Sequence, residues 1–453
     1  MTGVDEADAR GFLRPYAEIF SIPRAWRFSV AGVIGRLPMS MYGLGTVLLI
    51  SAGTGRYGLA GTVAAVSALG NALCAPQLGR LTDRLGQHRV LVPICMIFAL
   101  SVAGLVTSVQ LGLPDWTLFA CGIVGGATMP QLGPMARARW SVLLAGTSRL
   151  HTAFSIESIA DELCFVVGPA AVTLLATQVH PAAGVTTAAV CCLGGTLWFA
   201  AQRATEPPVK ELGNRPSEPG SRRGFGGGIR RGERGAGALR SGGHRGVVPR
   251  GRYSLAAPGL VVLVPAYLFL GTMFVSVDLS TVDFAARAGY KPLAGVILGC
   301  YALGSATGGL WYGSRSWRSP AWKRLAVTLS LTVAGVCTFW AMPNLLVLAI
   351  VIYLCGLTIA PTLIAGYSLL ESTALPGRAT EAMSWLGTGI SVGVALGATA
   401  VGFILDAFGP RWGYAYAAAS GVTTVVIYLS GLPRLARAEP AAPLAPSAAR
   451  STA

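Results

Sequence analysis

Apolar residues run through this chain in blocks separated by short polar or glycine- and proline-bearing stretches. The blocks fall at 28–51, 58–78, 90–110, 116–136, 150–178 and 184–202, and again at 256–281, 292–312, 324–342, 345–369, 381–405 and 412–433. About twenty apolar residues are what one helix needs to cross the hydrocarbon core of a bilayer. The pattern therefore predicts twelve spans, six plus six. Composition agrees, because 53% of residues are hydrophobic and only 12% are charged. Soluble domains carry about a quarter charged residues, and half that share cannot cover a water-soluble protein of 453 residues. The expected fold class is an all-α membrane protein with twelve transmembrane helices in two six-helix pseudo-repeat bundles.

Lys and Arg in the connections set the orientation of a multi-span chain. With the N-terminus inside, the cytoplasmic segments hold thirty basic residues, the outer loops hold four (Arg56, Arg287, Lys291 and Arg411), and Arg36 lies within a span. This predicts a multi-pass cell-membrane protein with both termini in the cytoplasm. The division reads as an N-tail at 1–27, a first bundle at 28–202, a basic linker at 203–255, a second bundle at 256–433 and a C-tail at 434–453. The N-tail carries eight charges and no short apolar core, so it is not a cleavable signal peptide. The linker has twelve basic residues and, beyond Phe225 and Tyr253, no interleaved aromatics. It reads as a solvated connector rather than an RNA- or lipid-binding segment. The net charge of +16 thus implies no nucleic-acid partner.

The halves repeat. Gly125 begins a Gly-x4-Pro ending at Pro130 and Gly356 begins one ending at Pro361, an offset of 231. GRLTDR at 79 and GGLWYG at 308 are 229 apart. Agreement on nearly one offset points to internal duplication, a common build of secondary transporters. The nine cysteines all lie in apolar stretches with no CxxC pair, and the four histidines sit in or beside loops. No metal site, cofactor or enzymatic nucleophile is expected. GFGGGIR at 224–230 lacks the GK[ST] ending of a phosphate loop, so ATP-driven transport is not expected either.

The loop after the second block carries a specific signal. GRLTDRLGQHRVL, 79 to 91, resembles the signature G-x-L-a-D-r-x-G-r-k-x-x-l of the major facilitator superfamily. Gly79, Leu81, Asp83, Arg84, Gly86 and Leu91 match in register, while Gln87 and His88 stand where two basic residues are usual. Glycine permits a tight interhelical turn, and Asp83 can accept backbone N–H groups from the start of a facing helix. The resemblance implies a gate that locks the cytoplasmic ends of the halves when the transporter opens outward, with Gly79, Asp83, Arg84 and Gly86 as its elements. In the second half Tyr312 occupies the place of Asp83. Two further patterns bear on coupling. CGIVGGA, 121 to 127, keeps Gly125 of the fourth-span R-x-x-q-G-x-g pattern but has Cys121 in the arginine's place. The fifth-span antiporter pattern g-x3-G-x3-G-P falls on Ala160, Cys164, Gly168 and Pro169. The retained Gly-Pro makes the chain similar to the twelve-span drug/proton antiporters and points to export.

The fifth block also holds Glu157, Asp161 and Glu162 in SIESIADELCFVVGP. A charged side chain at the bilayer centre costs at least a few kcal/mol, so these acids need a partner or a task. Glu157, Asp161 and Gly168 share a helical stripe, and Glu162 stands about 100° away. At about 1.5 Å per residue, Glu157 lies about 10 Å and Asp161 about 16 Å in from the cytoplasmic edge, with Arg36 of the first span at about 12 Å. Arg36 is thus placed to pair with Glu157 or Asp161. One arginine cannot neutralise three carboxylates, and an unmatched carboxyl away from water favours its protonated form. Asp161, the deepest on the stripe, is the first choice as proton carrier, with Asp278 of the seventh block next. Asp283, Glu371 and Glu381 read as surface charges. Function is thus expected to be proton-coupled efflux of a small amphipathic molecule by alternating access, with uptake of a sugar or organic anion as the alternative and a non-transporting scaffold as a third class. The partners implied are that molecule, a proton and the lipid bilayer.

Overall fold

The computed structural model describes residues 14–208, 258–374 and 377–438, apart from residues 146, 148, 291, 292, 316 and 318. Most of the expected linker and the outer parts of both tails lie outside the described residues. The six spans of the first half run Ala25–Arg36 with Pro38–Thr54, Tyr57–Leu85, Gln87–Gln110, Asp115–Ala127 with Leu132–Leu143, Leu150–Gln178 and Ala183–Ala201. Those of the second half run Pro258–Arg287, Leu293–Gly313, Ala321–Val336, Leu345–Gly356 with Ile359–Thr373, Ala379–Phe408 and Pro410–Ala438. Eleven of the twelve are long and apolar enough to cross a membrane. The fourth is instead two shorter pieces.

The breaks have local causes. Pro38 opens the second piece of the first span, since proline cannot donate into the turn before it but suits a helix start. The two Gly-x4-Pro repeats occupy the breaks of the fourth and tenth spans. Gly126 and Gly356, beside those breaks, let backbones touch. A Cβ on Gly126 would strike the Ser67 carbonyl of the second span, and one on Gly356 would strike the Tyr301 carbonyl of the eighth. Small residues permit such contacts between helices that lipid alone would not drive together.

Within each half the spans pack into a bundle, the second against the fourth and the first against the sixth, then the seventh against the eleventh and twelfth and the eighth against the tenth. Between halves the main seams are second with eleventh and fifth with eighth. One correction concerns the fourth span. The apolar block ends at 136, but the helix continues to Leu143. It carries Arg137 and Arg139, which the sequence pattern assigns to a connecting loop, at 1% and 0% exposure.

Candidate functional site

The seam between the second and eleventh spans is an interlocked pair of helix ends on the face where the first span begins and the twelfth ends. Asp83, in the last turn of the second span, accepts the backbone N–H of Thr380 at 3.3 Å and of Glu381 at 2.9 Å. These are orphan donors of a helix start, where a carboxylate is favoured by the helix dipole. Arg80, one turn before Asp83, donates to Glu381 Oε1 from Nε at 3.1 Å and from Nη2 at 2.7 Å. Glu381 is therefore not a surface charge: it is fully buried and ties the two halves together. Gly79 is needed for the approach, because a Cβ there would lie 2.8 Å from Ser384 Oγ and 3.0 Å from Glu381 Cα. Gly86 turns the chain at φ 94°, a conformation that L side chains rarely adopt. Arg84 is exposed, so Arg80 rather than Arg84 makes the cross-half contact.

Gln87 and His88, the two departures from the signature, are both occupied. Gln87 donates to the Met135 carbonyl at 3.1 Å and accepts from Arg139 Nε at 2.7 Å. His88 pairs with Glu206 at 2.9 Å. Tyr312 turns into its own bundle, stacked on Trp317 and receiving Arg324 Nη1 at 2.9 Å. The second seam uses neutral groups instead. Ser155 Oγ donates to the Gly309 carbonyl at 2.6 Å, Thr152 Oγ1 to that of Gly313 at 2.5 Å, and Tyr16 Oη to that of Leu310 at 2.6 Å. Among the described residues, every hydrogen bond and ion pair between halves lies in the half of the molecule where the first span begins and the twelfth ends. The halves are locked at one face and, among the described residues, carry no such lock at the other.

Above the lock lies a buried charge cluster. Arg36 pairs through Nη2 with Glu157 and through Nη1 with Asp161 Oδ1 at 2.8 Å. Glu157 also receives Trp140 Nε1 at 2.9 Å and Ser29 Oγ at 3.2 Å. Asp161 Oδ2 receives Arg137 Nη2 at 2.8 Å. This corrects the charge count drawn from the sequence. Two arginines face Glu157 and Asp161, so that pair is neutralised and no surplus remains on it. Arg137 escaped notice because it was counted as loop, although the apolar residues Trp140, Val142, Leu143 and Leu144 that follow are the signal that the helix continues. Its guanidinium also lies 4.1 Å from the ring centroid of Tyr367 on the tenth span, which links the cluster to the other half.

The remaining acids stand apart. Neither Glu162 nor Asp278 forms an ion pair among the described residues. Asp283 pairs with Arg287 at 2.8 Å rather than standing alone in solvent, and Glu371 is half-buried. Gly168 and Pro169 lie where the fifth span crosses the kink of the first. There Ser40 Oγ donates to the Cys164 carbonyl at 2.7 Å, and a Cβ on Gly168 would strike Ser40. Cys121 forms no ion pair or charge cluster among the described residues; its sulfur packs near Gly104 of the third span.

The sequence profile described as Major Facilitator Superfamily matches residues 28–370 and 261–452. The chain belongs to the major facilitator superfamily. No curated protein is matched by sequence. Solved transporters share the fold. A bacterial homologue of the iron transporter ferroportin in an outward-facing state superposes with a TM-score of 0.66 at 14% identity, covering 90% of this chain and 99% of that one. The human organic anion transporter MFSD10 (TETRAN) gives 0.62 at 18% identity, covering 91% and 100%. The transporter FucP in its outward conformation gives 0.61 at 16% identity, covering 93% and 99%. The protein is thus a multi-pass membrane transporter of this superfamily rather than an enzyme.

Proposed function

We propose that the protein exports a small amphipathic molecule across the cell membrane in exchange for protons, by alternating access, with both termini in the cytoplasm. The single observation that carries this reading is the one-sided lock. Asp83 caps the start of the eleventh span and Arg80 holds Glu381, while the opposite half of the molecule has no hydrogen bond or ion pair between bundles among the described residues. Such a lock is a two-state element that substrate and proton can bias from the midplane. Orientation rests on basic residues: thirty less Arg137 and Arg139 leaves twenty-eight on the termini face against four on the other. Export is supported by Gly168 and Pro169 at the fifth-span crossing. We assign the coupled proton to Glu162 and Asp278, which form no ion pair among the described residues, ahead of Asp161, both of whose oxygens are taken.

Uptake is the second reading, since the fold is shared with a fucose:proton symporter. Cells expressing the protein, screened against diverse toxic compounds with and without a protonophore, separate the two. Export lowers accumulation of a compound and loses that effect with the protonophore; uptake raises it. No change for any compound would sink the transporter assignment of this chain.

A further inference from the structure

We propose that Arg24, Arg27 and Arg203 form a binding site for a phosphate group where the first span begins and the sixth ends. The site stands apart from the two seams and the buried charge cluster, and it does not depend on the direction of transport.

By sequence Arg203 opens the solvated linker, but the chain is fixed there. Arg203–Thr205 form a 3-10 turn after the sixth span, and the fully buried Arg139 holds that turn. Its Nη2 donates to the Phe199 carbonyl at 3.1 Å, and its Nη1 to the Gln202 carbonyl at 3.1 Å and to Thr205 Oγ1 at 2.9 Å. The next residue, Glu206, accepts the backbone N–H of His88 at 3.1 Å and pairs with the His88 ring. The start of the first span lies against this turn. Between them is an open cleft of about 330 Å³, lined by Arg24, Arg27 and residues 201–205. Small-ligand sites have volumes of about 300–1,000 Å³.

The charge in the cleft is of one sign: three arginines line it and no acid does. Among the described residues none of the three guanidiniums has an ion pair or hydrogen bond, and Arg27 lies 5.6 Å from the ring centroid of Trp26. The acids of the adjoining segments are engaged elsewhere, Glu18 with Arg14 and Arg149, and Glu206 with His88. Like charges gathered without a counter-charge repel, and an anion between them removes that cost. The backbone adds a separate observation. Arg24, at φ 69°, is the one non-glycine residue at positive φ among the described residues. That conformation is costly for a bulky side chain and recurs at ligand-binding sites.

A guanidinium offers a planar fork of donors that matches carboxylate or phosphate oxygens. Three forks exceed what one carboxylate can use, whereas a phosphate brings more oxygens and up to two charges. The phosphate could belong to an anionic lipid or to a small ester in water. Trp26 is 46% exposed and Trp198, four residues before Gln202, is 38% exposed. Exposed indoles mark the level of lipid headgroups, and basic pockets beside spans on the cytoplasmic side recruit anionic headgroups. These features favour the lipid.

The test titrates the full chain, in a neutral detergent at fixed ionic strength, with dioctanoyl phosphatidylglycerol, dioctanoyl phosphatidylcholine and glycerol 3-phosphate. Phosphatidylglycerol should bind about tenfold or more tightly than phosphatidylcholine, which has the same tails. Arg24→Gln, Arg27→Gln and Arg203→Gln together should abolish that preference. Arg222→Gln with Arg223→Gln, which removes charge from the linker alone, should leave it intact. Should the triple variant fail to fold, Arg203→Gln alone should weaken phosphatidylglycerol binding a few-fold and Arg203→Lys should recover part of the loss. Much weaker binding of glycerol 3-phosphate than of phosphatidylglycerol identifies a lipid as the source. Equal binding of the two, lost together in the triple variant, places a water-soluble phosphate ester in the same site. Equal affinity for the two lipids with no binding of glycerol 3-phosphate would overturn the proposal. So would a preference that survives the triple substitution, or an equal loss in the linker variant, which would show diffuse attraction to a basic face in place of a site.

Discussion

Replacing Glu157 by Gln tests whether the buried cluster is held by charge balance. Glu157 is fully buried, as is Trp140, and Arg36 is 3% exposed, so little water can compensate a change. In the native arrangement two guanidiniums face two carboxylates. Glutamine has nearly the same size and its carbonyl can still accept from Trp140, but the pocket is left with one uncompensated positive charge. Two unit charges about 4 Å apart interact by about 4 kcal/mol at an effective dielectric of about 20. Breaking one partner of a buried pair is measured at about 3–5 kcal/mol in other proteins. The expected loss for Glu157→Gln is therefore about 3–5 kcal/mol. Adding Arg36→Gln removes the surplus charge and leaves Arg137 with Asp161 as a one-to-one pair, so the double variant should be about 2 kcal/mol more stable than the sum of the single losses. The assay is reversible unfolding in mixed detergent micelles of the wild type, both single variants and the double. A loss below about 1 kcal/mol, the scale of exposed pairs, or strict additivity in the cycle, would refute the balanced-cluster argument.

Three further outcomes follow from the lock and the topology. Asp83→Asn keeps the side-chain size but leaves an amide N–H facing one of the two backbone N–H donors. The protein should fold, while the locked state loses about 1–2 kcal/mol, and transport should fall severalfold with substrate affinity nearly unchanged; wild-type transport rates would break the assignment. Gly79→Val sets a branched side chain against Glu381 Cα and Ser384 Oγ, so cysteines at Leu81 and Arg378 should become more accessible to a membrane-impermeant thiol reagent in inside-out vesicles, and unchanged labelling would count against a close-contact role. The linker at 203–255, with twelve basic residues, should resist protease added to intact cells and be cut in inside-out vesicles; cleavage from outside would reverse every sidedness statement.

The spans and their pairing into two halves were legible because apolar length and repeated Gly-x4-Pro breaks are local features. Asp83 was legible as an acid in an interhelical turn, but its partners were not. Glu381 looked like a surface charge because it stands three residues after Arg378 in a polar stretch, and only the approach of the second span buries it. Arg137 and Arg139 were misread for the opposite reason: two arginines ended an apolar block that the helix in fact runs through. Gln87 looked like a decayed motif position, yet it bridges Arg139 and Met135.

Residue order alone determined the number of spans and the basic bias between the connections. Transfer of apolar side chains into lipid is additive along a chain, whereas Pro76, Pro93, Pro169, Pro265 and Pro433 all sit inside uninterrupted helices, so proline by itself did not mark the breaks. Tertiary structure decided the matches that depth along a span does not give. Depth along the helices already placed Arg36 to pair with Glu157 or Asp161, whereas the pairing of Arg137 with Asp161 and of Asp83 with the start of the eleventh span came only from packing. A buried charge is stabilised by what faces it across the packing, and among the described residues that packing leaves Glu162 and Asp278 without an ion pair.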